Sequence, residues 1–155
     1  ANDNLCKIIE PNVCSTSRRV EVLRECQKRG IPTVVWICPI LPYINDTIEN
    51  LQTLLNYCKE TNVKGIINFG MGLTLREGNR EYFYAQLDKH FPGLKETYIK
   101  TYSNSYEIPS KNSPHLFKLF YDFCRQHKIM SNPDTIFAYM NTFEEKNPIV
   151  QLELF

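Results

Sequence analysis

The chain has no apolar run near the roughly 18–20 residues that a membrane span needs, although 43% of its 155 residues are hydrophobic. Charge of one sign is also missing. Eighteen basic and 17 acidic side chains leave a net charge of +1, which excludes a basic nucleic-acid surface and an acidic tail as dominant features. The opening residues Ala1-Asn-Asp-Asn have neither the basic nor the apolar region of a signal peptide. Six cysteines are present, yet none forms a C-x-x-C pair, and no H-x-x-H spacing or Ser/His/Asp set stands out. Internal repeats and low-complexity segments are absent. What is left is an α/β chain long enough to bury a core, expected to be cytoplasmic.

Reading along the chain, residues 2–14 predict a short helical turn ending before Pro11. Ser15 or Thr16 can cap a helix running to about Arg29, with Val20, Leu23 and Cys26 on one face and Gly30 as its stop. Residues 31–38 (IPTVVWIC) are a β-branched and aromatic run, predicting a strand buried on both faces. Asp46, with Glu49 three residues on, reads as the capping box of a helix carrying Ile48, Leu51, Leu54, Leu55 and Cys58. A second buried strand is expected over residues 63–69. This helix–strand–helix–strand order favours a parallel pair. Residues 79–103 and 113–142 read as helical and aromatic-rich, with Pro114 and Pro133 placed in first turns. Cysteines on these stripes and strands read as small buried hydrophobes in a reducing compartment.

Two parallel strands make a marginal sheet by themselves. The polar opening just ahead of a βα-type segment therefore reads as the back part of a larger α/β enzyme. Its divisions are expected at residues 1–78 for the α/β segment, 79–142 for a helical C-terminal extension and 143–155 for a tail.

Ligands of parallel α/β folds bind at the carboxyl ends of the strands. Two loops qualify, residues 38–46 and 69–76. Gly70 and Gly72 flank Met71, so the backbone can approach a flat ligand with Met71 against it. A plain glycine turn around a core methionine fits the residues equally well. Arg76, Glu77 and Arg80 follow directly; the two arginines can hold an anionic substrate group or simply open a helix. His90, His115 and His127 read as surface or core-edge residues.

Residues 3–11 (DNLCKIIEP), 31–47 (IPTVVWICPILPYINDT) and 63–102, above all FGMGLTLREGNREYFY at 69–84, resemble the C-terminal half of radical S-adenosylmethionine proteins. The subgroup resembled is the one related to spore photoproduct lyase. The resemblance implies that the two strands are the fifth and sixth of a six-stranded partial (β/α) barrel, followed by a helical C-terminal extension. It implies a family chemistry in which a [4Fe–4S] cluster cleaves S-adenosylmethionine reductively, giving a 5′-deoxyadenosyl radical that abstracts hydrogen from substrate. The adenosine side of that cofactor would rest on Pro39, Ile40, Asn68, Gly70 and Met71. One departure matters. The cluster needs three thiolates at C-x-x-x-C-x-x-C, whereas successive cysteines here are 8, 12, 12, 20 and 66 residues apart. The cluster ligands and first four strands would lie in a missing N-terminal half, and this chain alone is expected to be inactive and to hold neither group.

Two partner expectations complete the reading. An exposed strand edge invites self-association. The terminal Gln151-Leu-Glu-Leu-Phe155 resembles the peptide by which bacterial DNA-maintenance proteins attach to the sliding clamp. In such peptide-in-groove recognition Gln151 supplies hydrogen bonds while Leu152, Leu154 and Phe155 fill apolar pockets; the alternative is a tail folded on its own domain. The competing function is accordingly a non-catalytic binding module.

Overall fold

In a computed structural model of the chain, residues 1–142 are described, and they form a mixed α/β fold of seven helices and four short strands. Helix α1 (Asp3–Ile9) is capped by Asn2, and α2 (Thr16–Lys28) by the Ser15 side chain. Strand β1 (Val34–Trp36) leads through a loop to α3 (Ile48–Glu60), and β2 (Gly65–Ile67) follows. Then come β3 (Gly72–Thr74), α4 (Asn79–His90), α5 (Leu94–Tyr102) and β4 (Glu107–Pro109). Helices α6 (Ser113–His127) and α7 (Pro133–Met140) close the described chain, each with proline in its first turn.

β1 and β2 pair in parallel, Val34 opposite Gly65 and Trp36 opposite Ile67, as the strand–helix–strand order requires. Both strands are shorter than the runs that announced them, because their flanking residues turn into loops. The Ile37 amide still reaches the Ile67 carbonyl at 3.0 Å, and the Lys64 amide reaches Thr33 at 2.8 Å. Beside β2, Met130 adds one parallel bridge, with the Ile66 amide donating to its carbonyl at 2.8 Å.

Below this sheet lies a core of Leu51, Leu55 and Cys58 from α3, Ile66 from β2, and Leu116, Phe120, Phe123 and Cys124 from α6. α6 spaces its apolar residues at i, i+4, i+7 and i+8, the stripe that lets one helical face meet α3. A second core joins Leu75, Leu87, Tyr98 and Ile108, with Ile44 against them. The cores do not follow chain order: α6, from the second half, completes the first.

Several expectations are corrected. The capping side chain of α3 is Thr47, whose Oγ1 accepts from the Asn50 amide at 3.1 Å. Asp46 is instead buried, accepting from the Ser110 hydroxyl, while Asn112 Nδ2 donates to the Asp46 carbonyl at 3.1 Å. The helical stretch over 79–103 breaks at residues 91–93, where Pro92 cannot donate and Gly93 takes a positive φ of 82°. The extension is also not wholly helical, since β4 crosses it to pair antiparallel with β3, Leu73 opposite Ile108. β1 is not buried on both faces, for Trp36 is 56% exposed, and Ile48 on the α3 stripe is exposed too. Among the cysteines, Cys58 and Cys124 are core residues, whereas Cys38 and Cys14 are exposed. No described helix is long and apolar enough to cross a membrane.

Candidate functional site

At the carboxyl ends of the parallel pair, Asn68 ties the strands together. Its Nδ2 donates to the Ile37 carbonyl at 2.9 Å and its Oδ1 accepts from the Gly70 amide at 2.9 Å. One buried amide side chain thus satisfies backbone groups of both loops and fixes where each leaves its strand. The 38–46 loop is held from the other side. Ile40 donates its amide to Gly72 at 3.2 Å, Leu41 donates to Asn45 Oδ1 at 2.6 Å, and Tyr98 donates its hydroxyl to Pro42 at 2.6 Å.

A cleft of about 1040 Å³ opens over these ends, bounded by α1 and α2 on one side and by β3 and α4 on the other. Its floor includes Trp36, Cys38, Pro39, Phe69 and Gly70. Trp36 and Phe69, 56% and 59% exposed, meet edge to face at 5.2 Å. This pair puts more apolar area in view than a loop tip needs, and such a surface ordinarily marks a contact site. Partial burial pushes the Cys38 thiol up from its ordinary value, keeping it neutral at physiological pH.

The residues expected to hold a cofactor divide by role. Pro39 is exposed and Gly70 half-buried on the cleft floor, while Ile40 and Met71 are each 2% exposed and belong to the first core. Met71 also receives Asn68 Nδ2 on its sulfur at 3.7 Å. The two glycines differ as well. A Cβ on Gly70 would meet nothing within 4 Å, whereas one on Gly72 would sit 2.3 Å from the Ile108 carbonyl oxygen. Gly72 is there so that β3 can touch β4; Gly70 alone keeps space open toward the cleft.

Neither arginine lines the cleft. Arg80 spends its guanidinium on backbone, donating to the carbonyls of Leu75 at 3.2 Å, Ser103 at 3.4 Å, Asn104 at 3.3 Å and Ser105 at 2.7 Å. These contacts fasten the α5–β4 turn to the start of α4, so the guanidinium of Arg80, expected to receive substrate, is engaged by backbone carbonyls. Arg76 is exposed and donates from Nε to the Tyr106 hydroxyl at 3.3 Å, a contact that holds the pKa of that phenol below its usual value. His90 lies half-buried on the cleft wall, while His115 and His127 lie off it. Gln151, Leu152, Leu154 and Phe155 lie outside the described residues.

Sequence reasoning missed the β3–β4 pair and the Trp36–Phe69 platform. A signal for the platform existed, since two large aromatics stand at corresponding ends of the two strands. Among the described residues no group of three or more His, Cys, Asp or Glu side chains could hold a metal ion. The cysteine spacing likewise lacks the C-x-x-x-C-x-x-C set that an iron–sulfur cluster of the resembled family needs.

No family model and no solved structure matches the chain. It is similar to the uncharacterized protein Rv2578c of Mycobacterium tuberculosis and the uncharacterized protein Mb2609c of Mycobacterium bovis, 26% identical to each over 101 residues. The aligned stretch covers 65% of this chain and 29% of each relative, so the chain spans under a third of those proteins' length.

Proposed function

We propose that this chain is the C-terminal part of a radical S-adenosylmethionine enzyme related to spore photoproduct lyase, and that it forms the adenosine side of the cofactor pocket. The observation that carries the reading is the Asn68-tied parallel pair with an open cleft at its carboxyl ends, where α/β folds bind ligands. The greater length of its relatives supports a chain that works as part of a longer protein.

The strand pair itself favours a continued sheet. Ile37 bonds to β2, so by strand alternation Val34 and Trp36 turn their backbone groups to the outer edge of β1. Among the described residues no strand lies on that edge. A preceding barrel strand placed there would satisfy those groups and cover Trp36. α7 sits on β2 through Ile136, whose Cγ1 lies 2.9 Å from where a Gly65 Cβ would be.

Toward S-adenosylmethionine the chain offers Pro39 and Gly70 as surface, with Asn68, Ile40 and Met71 holding that surface in place from beneath. When bound, the cofactor supplies the adenosyl fragment that abstracts hydrogen in this family. The cluster does not fit the residues present, and its ligands belong to the remainder of the protein. The test is radiolabelled S-adenosylmethionine binding to the full-length, cluster-reconstituted protein and its Gly70→Val variant. The reading expects binding weakened at least about tenfold, or about 1.4 kcal/mol, with the melting temperature unchanged. Equal affinity in a folded Gly70→Val protein would overturn it.

A further inference from the structure

Cys6 in α1 and Cys14 in the turn before α2 are held close by the chain's own folding. The Glu10 amide donates to the Cys6 carbonyl at 2.7 Å and the Val13 amide to Glu10 at 3.1 Å. This double turn brings Cys14 back over Cys6, whose Sγ lies 3.9 Å from the Cys14 carbonyl oxygen and 3.9 Å from Glu10 Oε2. Two clamps keep the turn closed. The Ser17 amide donates to Asp3 Oδ1 at 3.1 Å, with the Ser17 hydroxyl on Oδ2. Arg19 Nη2 donates to Glu10 Oε2 at 3.0 Å.

Cys14 is exposed and Cys6 half-buried, unlike core Cys58 and Cys124.

We propose that Cys6 and Cys14 are a redox modification site, a thiol pair that hydrogen peroxide converts to an intramolecular disulfide. The Cys14 sulfur attacks one peroxide oxygen, the O–O bond breaks, and a sulfenic acid and one water result. The Cys6 sulfur then attacks the Cys14 sulfur; the S–S bond forms, the S–O bond breaks, and hydroxide leaves with the Cys6 proton as a second water. Two thiols lose two electrons and two protons, and the peroxide is reduced to two waters. Cys6, Glu10 and Arg19 line the cleft, so the disulfide fixes one of its walls. The inference stands on the turn that folds the Cys14 backbone over the Cys6 thiol and is independent of the cofactor reading.

The test treats the 155-residue chain with substoichiometric hydrogen peroxide, blocks free thiols, and digests with trypsin without reductant. Cleavage after Lys7 and Arg18 puts the two cysteines in peptides 1–7 and 8–18. The expected result is those peptides joined, lighter by two hydrogens and separated by reductant, as the first oxidation product. Cys6→Ser should leave Cys14 as a sulfenic acid that dimedone captures, and Arg19→Gln, which releases the clamp on Glu10, should slow disulfide formation severalfold. Oxidation of Cys38 ahead of the pair, or Cys14 joined between chains instead of to Cys6, would overturn the proposal.

Discussion

Replacing each of three glycines by alanine should give three different outcomes. At Gly72 the new methyl would lie 2.3 Å from the Ile108 oxygen and 2.8 Å from Pro109 Cα. Both are backbone atoms of the partner strand, so no rotamer change relieves the clash and β3 must move off β4. That displacement strains the Leu73–Ile108 pairing and the neighbouring bonds from Ser110 to Met71 at 2.7 Å and from Leu75 to Tyr106 at 2.9 Å. Two such bonds, at about 1–3 kcal/mol each if left unpaired, put the loss at about 2–6 kcal/mol. At Gly65 the obstacle is the Ile136 side chain at 2.9 Å, which can shift, and the cost should be about 1–2 kcal/mol. Gly70 has open space and ordinary φ, so alanine there should be neutral or stabilise by about 0.5 kcal/mol through the unfolded chain. Urea unfolding of the three variants, read as midpoints with slopes compared, decides the matter. A Gly72→Ala protein within about 1 kcal/mol of the parent, or a Gly70→Ala protein as damaged as Gly72→Ala, would refute this assignment of the glycines.

Ser110→Ala should cost about 1.5–3 kcal/mol, because it removes the donor to the buried Asp46 carboxylate; a loss below about 0.5 kcal/mol in the same assay would show the contact to be idle. Arg80→Met should loosen the turn at residues 103–105 while sparing the cleft, so faster amide exchange at those residues with an intact β1–β2 pair is the expected outcome. Burial pushes the Cys58 thiol up to about 12 and Cys124 to about 11. Raised folded values mean that this stabilisation is complete below the ordinary value of 9.0 and is lost as pH rises from there toward the folded values. Denaturation midpoints should therefore fall above about pH 9, and Cys58 reacting with a thiol reagent at pH 8 as fast as Cys14 would contradict the burial. Alone, the chain should self-associate to cover the outer edge of β1, and sedimentation as a strict monomer across concentrations would count against this.

The elements most legible in the sequence were those with a strong local signal. Ser15 at the head of α2, prolines in the first turns of α6 and α7, and the two β-branched runs all formed where their chemistry placed them. β3 and β4 escaped because, unlike β1 and β2, neither lies within a β-branched run, and their pairing joins residues far apart in the chain. The Asp46 cap was misplaced for a related reason. Thr47 serves the helix equally well locally, and only the distant Ser110 and Asn112 draw Asp46 inward. At the site, the loops were legible from strand order, but which glycine faced a partner strand was not. That distinction depends on where Ile108 arrives.

The most direct test of the central claim is reductive cleavage of S-adenosylmethionine, assayed anaerobically with the full-length protein after iron and sulfide reconstitution. The account expects a cluster bound to the full-length protein, 5′-deoxyadenosine formed on adding dithionite, and neither from the present chain alone. A full-length protein that takes up no cluster and releases no 5′-deoxyadenosine would contradict it.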